Sequence, residues 1–164
     1  MKRIIFIRHA KSDWNLPELM DFDRPLNNRG KKDAPAMGER LSKFKESPQL
    51  ILLSAATRTK ETMELFSEKA GWQDCEKSEK DWLYLASPQE YIKTIEKLSD
   101  DLNFVCFCGH NPTITAIINY YSGENLVNVP TCGLGLIEFD VENWNAISRD
   151  SGKLIHYDYP KNSS

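Results

Sequence analysis

Long apolar runs are missing from this 164-residue sequence. None approaches the roughly 20 residues that a membrane-spanning helix needs. The first apolar stretch, Ile4 to Ile7, is too short for the hydrophobic segment of a secretory signal. Histidine is scarce, with three residues in all, and the four cysteines at 75, 106, 108 and 132 lack the paired CxxC spacing of a zinc or redox site. No metal site is therefore expected, and the cysteines read as reduced thiols of a cytoplasmic protein. An excess of basic charge is missing too. With 21 Lys+Arg against 24 Asp+Glu the net charge is −3, which disfavours nucleic acid as the main partner because that binding draws on a positive surface. Neither a membrane nor a nucleic acid is an expected partner, and the oligomeric state stays open. A local basic pocket for a small anion is compatible with all of this.

What is present is ordinary globular composition, 40% hydrophobic and 27% charged, so a packed core rather than disorder is expected. The length suits a single domain over residues 1–164, with 160–164 as a loose C-terminal tail. Residues 3–8, RIIFIR, form an unbroken β-branched and aromatic run that predicts a strand buried on both faces. Residues 11–28 are rich in Asp, Asn and Pro and read as a long loop, of a length that is usually functional in a compact domain. A helix is expected from Asn28 to Phe44, with Ala34, Met37, Leu41 and Phe44 on its buried side and Pro35 causing a kink or a later start.

LILLS at 50–54 predicts a second buried strand, with Ser54 as N-cap of the next helix. Residues 75–80 are too polar for an assignment. SPQEYIKTIEKL predicts a helix capped by Ser87, with Pro88 at its first position and Glu90 closing a capping box. NFVCFCGH at 103–110 reads as a third buried strand, in which Cys106 and Cys108 share one face. Residues 111–121 read as a helix capped by Asn111, and Leu134–Val141 and Leu154–Tyr159 as late strands. Strands alternating with helices predict an α/β fold on a mostly parallel sheet.

In such sheets ligands bind beyond the carboxyl ends of the strands. Arg8 and His9 follow the first strand, Arg58 lies early in the helix after the second, and Gly109, His110 and Asn111 follow the third. Two arginines and two histidines at one sheet edge suit a dianion, because guanidinium forks match phosphate oxygens and stay charged. A helix starting at Asn111 would add backbone N–H groups and a favourable dipole. A neutral imidazole is a competent nucleophile toward phosphorus, and the cation beside His9 favours its unprotonated form. His9 is thus read as the attacking group and His110 as a donor to the phosphoryl oxygens.

These residues resemble a known family. IRHAKSDWN is similar to the signature of the histidine phosphatase superfamily, the phosphoglycerate mutase-like enzymes, through Arg8, His9, Trp14 and Asn15. DRPLNNRGKKDA resembles a further block through Arg24, Pro25, Leu26, Gly30 and Ala34. LLSAATRTKETME carries the counterpart of the second arginine, Arg58, and GHNPTI that of the second histidine, His110. The short chain and the RHA-K and RPL elements look most like SixA-type phosphohistidine phosphatases. The resemblance implies a three-layer sandwich, a phosphohistidine intermediate on His9, and a phosphoryl group held by Arg8, Arg58, His110 and Asn15 without metal or cofactor.

Two positions depart from the pattern. Ala10 and Lys11 stand where the family has glycine and, in many members, an acidic residue. The stretch from Gly71 to Pro88 shows no clear counterpart of the glutamate that serves as general acid in the mutase branch. Asp81 in EKDWLYLAS is the positional candidate, with Asp21 and Asp23 behind it. A weak or missing acid favours P–N over P–O cleavage, since an alkoxide leaving group gains roughly 10²–10⁴-fold from a proton donor. The leading expectation is therefore a protein phosphohistidine phosphatase. The alternatives are a small-molecule phosphomonoesterase or mutase, and a phosphate-recognition module without turnover. For Arg58 the competing assignment is a surface ion pair with Glu61. His156 and the four tryptophans, Trp14, Trp72, Trp82 and Trp144, are read as structural.

Overall fold

The computed structural model describes residues 1–162. Six strands, β1 (Lys2–Arg8), β2 (Leu50–Ser54), β3 (Glu76–Lys80), β4 (Phe104–Gly109), β5 (Leu134–Phe139) and β6 (Gly152–Asp158), form one sheet in the order β3-β2-β4-β1-β5-β6. The first four in that order run parallel, and β5 and β6 are added antiparallel. Helices α1 (Asn28–Ser42) and α2 (Thr57–Ala70) cover one face, and α3 (Pro88–Glu96) and α4 (Thr113–Ser122) the other. The alternation of side chains along a strand divides the core accordingly. Ile5, Ile7, Cys106 and Cys108 pack with Met37, Met63 and Phe66, while Ile4, Phe6, Val105 and Phe107 pack with Tyr91, Ile114 and Ile118. The cysteines are unpaired among the described residues. No described helix is long and apolar enough to cross a membrane.

Several elements differ from expectation, each for a local reason. The unassigned polar segment is β3, an edge strand whose alternating Glu and Lys suit a solvent-facing rim. Helix α1 accommodates Pro35 without a later start, because Asn27 caps it through a bond from the Gly30 amide at 2.9 Å. Ser54 does not cap α2. The cap position is Ala56, and Ser54 Oγ accepts from the Ala56 amide at 3.2 Å. Ser87 caps α3 as expected. Helix α4 starts at Thr113 rather than at Asn111, yet Asn111 Oδ1 still accepts from the Thr115 amide at 3.1 Å. The tail expected to be loose from residue 160 begins tied down, since Arg40 donates to the carbonyls of Tyr159 (3.0 Å) and Pro160 (2.8 Å). Residues 163 and 164 lie outside the described residues.

The loop after β1 returns against α1 and pairs with itself at Ser12 and Leu26. Gly30 makes this possible. A β-carbon there would sit 2.2 Å from the Lys11 carbonyl oxygen, which itself accepts from the Asn27 amide at 3.0 Å. Gly30→Ala is therefore expected to push the backbone just beyond His9 outward and to destabilise the protein by about 1–3 kcal/mol. Urea denaturation would measure this, and an unchanged midpoint would show that the loop is not held by this contact.

Candidate active site

The carboxyl ends of β1, β2 and β4 lie side by side, so the register delivers their last residues to one place. Arg8 stands opposite Gly109, and the His9 amide donates to the Gly109 carbonyl at 3.1 Å. Leu53 stands opposite Cys108, which brings Ser54 alongside His110. Thr62 of α2 joins the two catalytic candidates through the backbone. Its hydroxyl accepts from the Ala10 amide at 2.9 Å and donates to the Arg58 carbonyl at 2.7 Å.

His9 is 7% exposed. Its Nδ1 lies 2.7 Å from the Ala10 carbonyl oxygen, and because a carbonyl can only accept, Nδ1 carries the proton and Nε2 presents a lone pair. Nε2 faces Arg58 Nε at 3.4 Å. Burial pushes the His9 pKa down to about 3. The bond to Ala10 opposes this, and the charges of His110, Arg58 and Arg8 add to it. Desolvation, more than the neighbouring cation, keeps this ring neutral.

The His110 ring centre is 5.1 Å from that of His9. Its Nε2 lies 2.8 Å from Ser54 Oγ, and its Nδ1 lies 3.4 Å from Arg58 Nη2. Arginine can only donate, so the neutral ring carries its proton on Nε2, directs it to Ser54, and turns a lone pair toward Arg58. Burial and then Arg58 bring its pKa down to about 4, with Asp21 opposing and Arg8 adding. Three of the amides at the start of α4 are already used. Those of Ile114, Thr115 and Ala116 bond to the His110 carbonyl, Asn111 Oδ1 and the Pro112 carbonyl.

Arg8 spends Nη1 on the Val129 carbonyl at 2.9 Å, while its buried Nε has no hydrogen-bond partner. Its pKa is lowered, first by burial and then by the charge of Arg58. Arg58, 6% exposed, is not paired with Glu61, whose carboxylate accepts from the Leu26 amide at 2.8 Å. Its partner is Asp21, which accepts from Nη1 through its carbonyl (2.7 Å) and from Nη2 through Oδ2 (3.1 Å). Tyr84 also donates to Asp21 Oδ2, and Arg24 donates to Oδ1 from Nε at 3.0 Å.

Asn15 and Asp81 are placed differently. Both are exposed. Asn15 donates its backbone amide to Asp13, and its side chain makes no hydrogen bond with the cluster. Asp81 opens the short 3-10 helix Asp81–Leu85, from which Tyr84 rather than Asp81 bonds into the site. Ser54, Thr62 and Tyr84 were not legible as site residues. Ser54 looked like a helix cap, and a tyrosine in an unassigned stretch carries no periodic signal. Trp14, expected to pack, is 69% exposed, with the Arg24 guanidinium 3.5 Å over its ring. His156 packs on Phe44, ring centres 4.8 Å apart.

A sequence model of the histidine phosphatase superfamily, branch 1, matches residues 4–80. An uncharacterised chloroplastic protein of Arabidopsis thaliana is 29% identical over 159 residues, 92% of this chain and 72% of that protein. A crystal structure assigned as the phosphohistidine phosphatase SixA of Agrobacterium tumefaciens superposes with a TM-score of 0.83 at 27% identity, covering 97% of this chain and 98% of that one. The structure of a protein histidine phosphatase SixA complexed with tungstate also gives a TM-score of 0.83, covering 99% of both chains. At 16% identity it is a likeness of fold.

The two depressed histidine pKa values carry a stability signature. Unfolded histidine titrates near 6.5, and a folded pKa below this means that the contribution is whole above pH 6.5 and is lost as pH falls toward about 3 for His9 and about 4 for His110. Unfolding free energy is expected to fall between pH 7 and pH 5, by roughly 2 kcal/mol from His9 alone. His9→Gln should flatten the profile, and a variant that loses as much as the wild type would show that other groups drive the change.

Proposed function

We propose that this chain is a phosphatase of the histidine phosphatase superfamily, whose sequence model matches residues 4–80, and that it removes phosphoryl groups from phosphohistidine on a protein by transferring them to His9. The observation that carries this reading is the posture of His9. A neutral ring, with Nδ1–H fixed on a carbonyl, turns the unshared pair of Nε2 toward Arg58 Nε at 3.4 Å, with the His110 ring centre 5.1 Å from its own.

In the first step His9 Nε2 bonds to phosphorus as the bond from phosphorus to the substrate ring nitrogen breaks. The substrate imidazole leaves as a neutral ring when its other nitrogen already carries a proton, so no protein acid is required. Water then attacks the phosphoryl group on His9, the P–Nε2 bond breaks, and phosphate departs with both water protons. The proton stays on Nδ1, donated to the Ala10 carbonyl, throughout. Arg8 and Arg58 supply the positive charge for the phosphoryl oxygens without a metal. The negative charge of the bound group raises the pKa of His110 and lets its Nδ1 become a donor.

The lack of an acid supports P–N chemistry. Asp21 is the carboxylate bonded into the cluster. Partial desolvation pushes its pKa up, but bonds from Tyr84 and Arg24 together with Arg58 outweigh this and hold it well below the usual carboxylate range. It is ionised at neutral pH and has no proton to give. Asp81 is exposed and is assigned no acid role. A cytoplasmic setting belongs to this reading, as it suits the unpaired cysteines.

The test is a panel of a phosphohistidine peptide, an aryl phosphate and an alkyl phosphate, run on wild type and His9→Ala. The expected result is an acid-labile phosphoenzyme on wild type only, and a preference for phosphohistidine over the alkyl ester of at least about 100-fold in kcat/KM. Tungstate should compete. Equal turnover of the alkyl ester would favour a small-molecule phosphomonoesterase, and oxyanion binding without any phosphoenzyme would favour a recognition module.

A further inference from the structure

Arg58 has two hydrogen-bonding edges, and they face different groups. Nε and Nη2 point to the lone pairs of His9 and His110, both at 3.4 Å, a length that leaves these contacts weak and easily replaced. Nη1 and Nη2 also meet Asp21, at 2.7 and 3.1 Å, where one residue supplies a carbonyl and a carboxylate oxygen to the same fork. The first edge is the one a phosphoryl group on His9 would take. The second is the terminal edge, which shares Nη2 with the first and carries Nη1 to the Asp21 carbonyl.

Asp21 is itself held from two more sides. Arg24 grips Oδ1 through Nε at 3.0 Å and Nη2 at 2.9 Å, and Tyr84 bonds to Oδ2. Arg24 is anchored in turn by Ser12 Oγ at 2.7 Å and by the Asp13 carbonyl at 3.3 Å. Phe22 meets the Tyr84 ring edge-on at 4.9 Å, and Tyr84 meets the His110 ring at 5.4 Å. The loop after β1 and the 3-10 helix after β3 are thereby joined at a single carboxylate.

We propose that Asp21 is a positioning residue, a buttress that grips one edge of Arg58 so that the other edge faces His9 and His110. This rests on the phosphatase reading above. A guanidinium on a flexible stem gains directional value only when its rotation is stopped, and Asp21 stops it by holding the terminal edge. Arg24 and Tyr84 keep the carboxylate from swinging toward the phosphoryl space. The arrangement also lets an anion lie close to a phosphate site without competing for the edge that binds it.

The experiment uses Asp21→Ala, Tyr84→Phe and Arg58→Lys, singly, with the Asp21→Ala/Arg58→Lys double variant, on the full chain. Asp21→Ala is expected to lower kcat on the order of 100-fold. KM should move little, because removing a negative charge beside the oxyanion offsets the looser grip. Tyr84→Phe should lose about 3- to 10-fold in kcat in the same direction. In the Arg58→Lys background the Asp21 change should cost almost nothing, since its effect passes through the guanidinium. An Asp21→Ala kcat within about threefold of wild type, or full additivity with Arg58→Lys, overturns the proposal. Nitrogen-15 NMR supplies an arm that needs no turnover. The Arg58 Nε–H resonance should be resolved in wild type and lost to solvent exchange in Asp21→Ala, and its persistence overturns the buttress. If wild type turns over none of the panel, the phosphatase chemistry fails while this resonance still decides the role of Asp21.

Discussion

One guanidinium, that of Arg58, organises the functional end of the molecule. It reaches two histidines on one edge and a carboxylate on the other, and its backbone is bridged by Thr62 to the segment carrying His9. Elements distant along the chain meet on it: the loop after β1, the start of α2, the turn after β4 and, through Tyr84, the 3-10 helix after β3. Losing it would leave Asp21 with less compensation and the histidine lone pairs without a common donor. The charge pattern around it also sets the protonation of its neighbours, since it lowers the pKa of both histidines and helps keep Asp21 ionised.

The same arrangement bears on the chemistry. A site that can donate a proton needs a group kept protonated near neutrality, by burial or by a like charge. Here the cations do the reverse, and the carboxylate in contact with Arg58 is stripped of its proton. What remains is a neutral nucleophile, fixed positive charge and a second imidazole ready to take up a proton once an anion arrives. On the proposed reading, that set serves to move a phosphoryl group between nitrogen atoms, where the leaving ring brings its own proton.

Legibility in the sequence followed the range of the signal. The buried strands β1, β2 and β4 were readable because a strand covered on both faces must be apolar along its covered length, as IIFI, LILL and FVCFC are. The helix cap at Ser87 was readable because capping is decided within four residues. The edge strand β3 was not, since its charged residues answer to solvent and its pairing with β2 is made across the sheet. Ser54 was misassigned for a related reason. A serine before a helix looks like a cap, and only the neighbouring strand end gives it His110 instead.

Arg8, His9, Arg58 and His110 could be named from sequence because each ends or follows a strand, and parallel strands deliver their ends to one side of a sheet. Their orientation could not. Which nitrogen of His9 is free depends on the Ala10 carbonyl, and which edge of Arg58 is free depends on Asp21, contacts set by how the loop after β1 folds back over α1. Sequence by itself determined the residue types, the strand ends that carry them and the kind of anion they suit, because local apolar patterns and side-chain chemistry are properties of short segments. The tertiary structure alone decided the tautomers, the ionised state of Asp21 and the exclusion of Asn15 and Asp81 from the hydrogen-bonded cluster. Burial and hydrogen-bond direction exist only once distant segments share one dielectric environment.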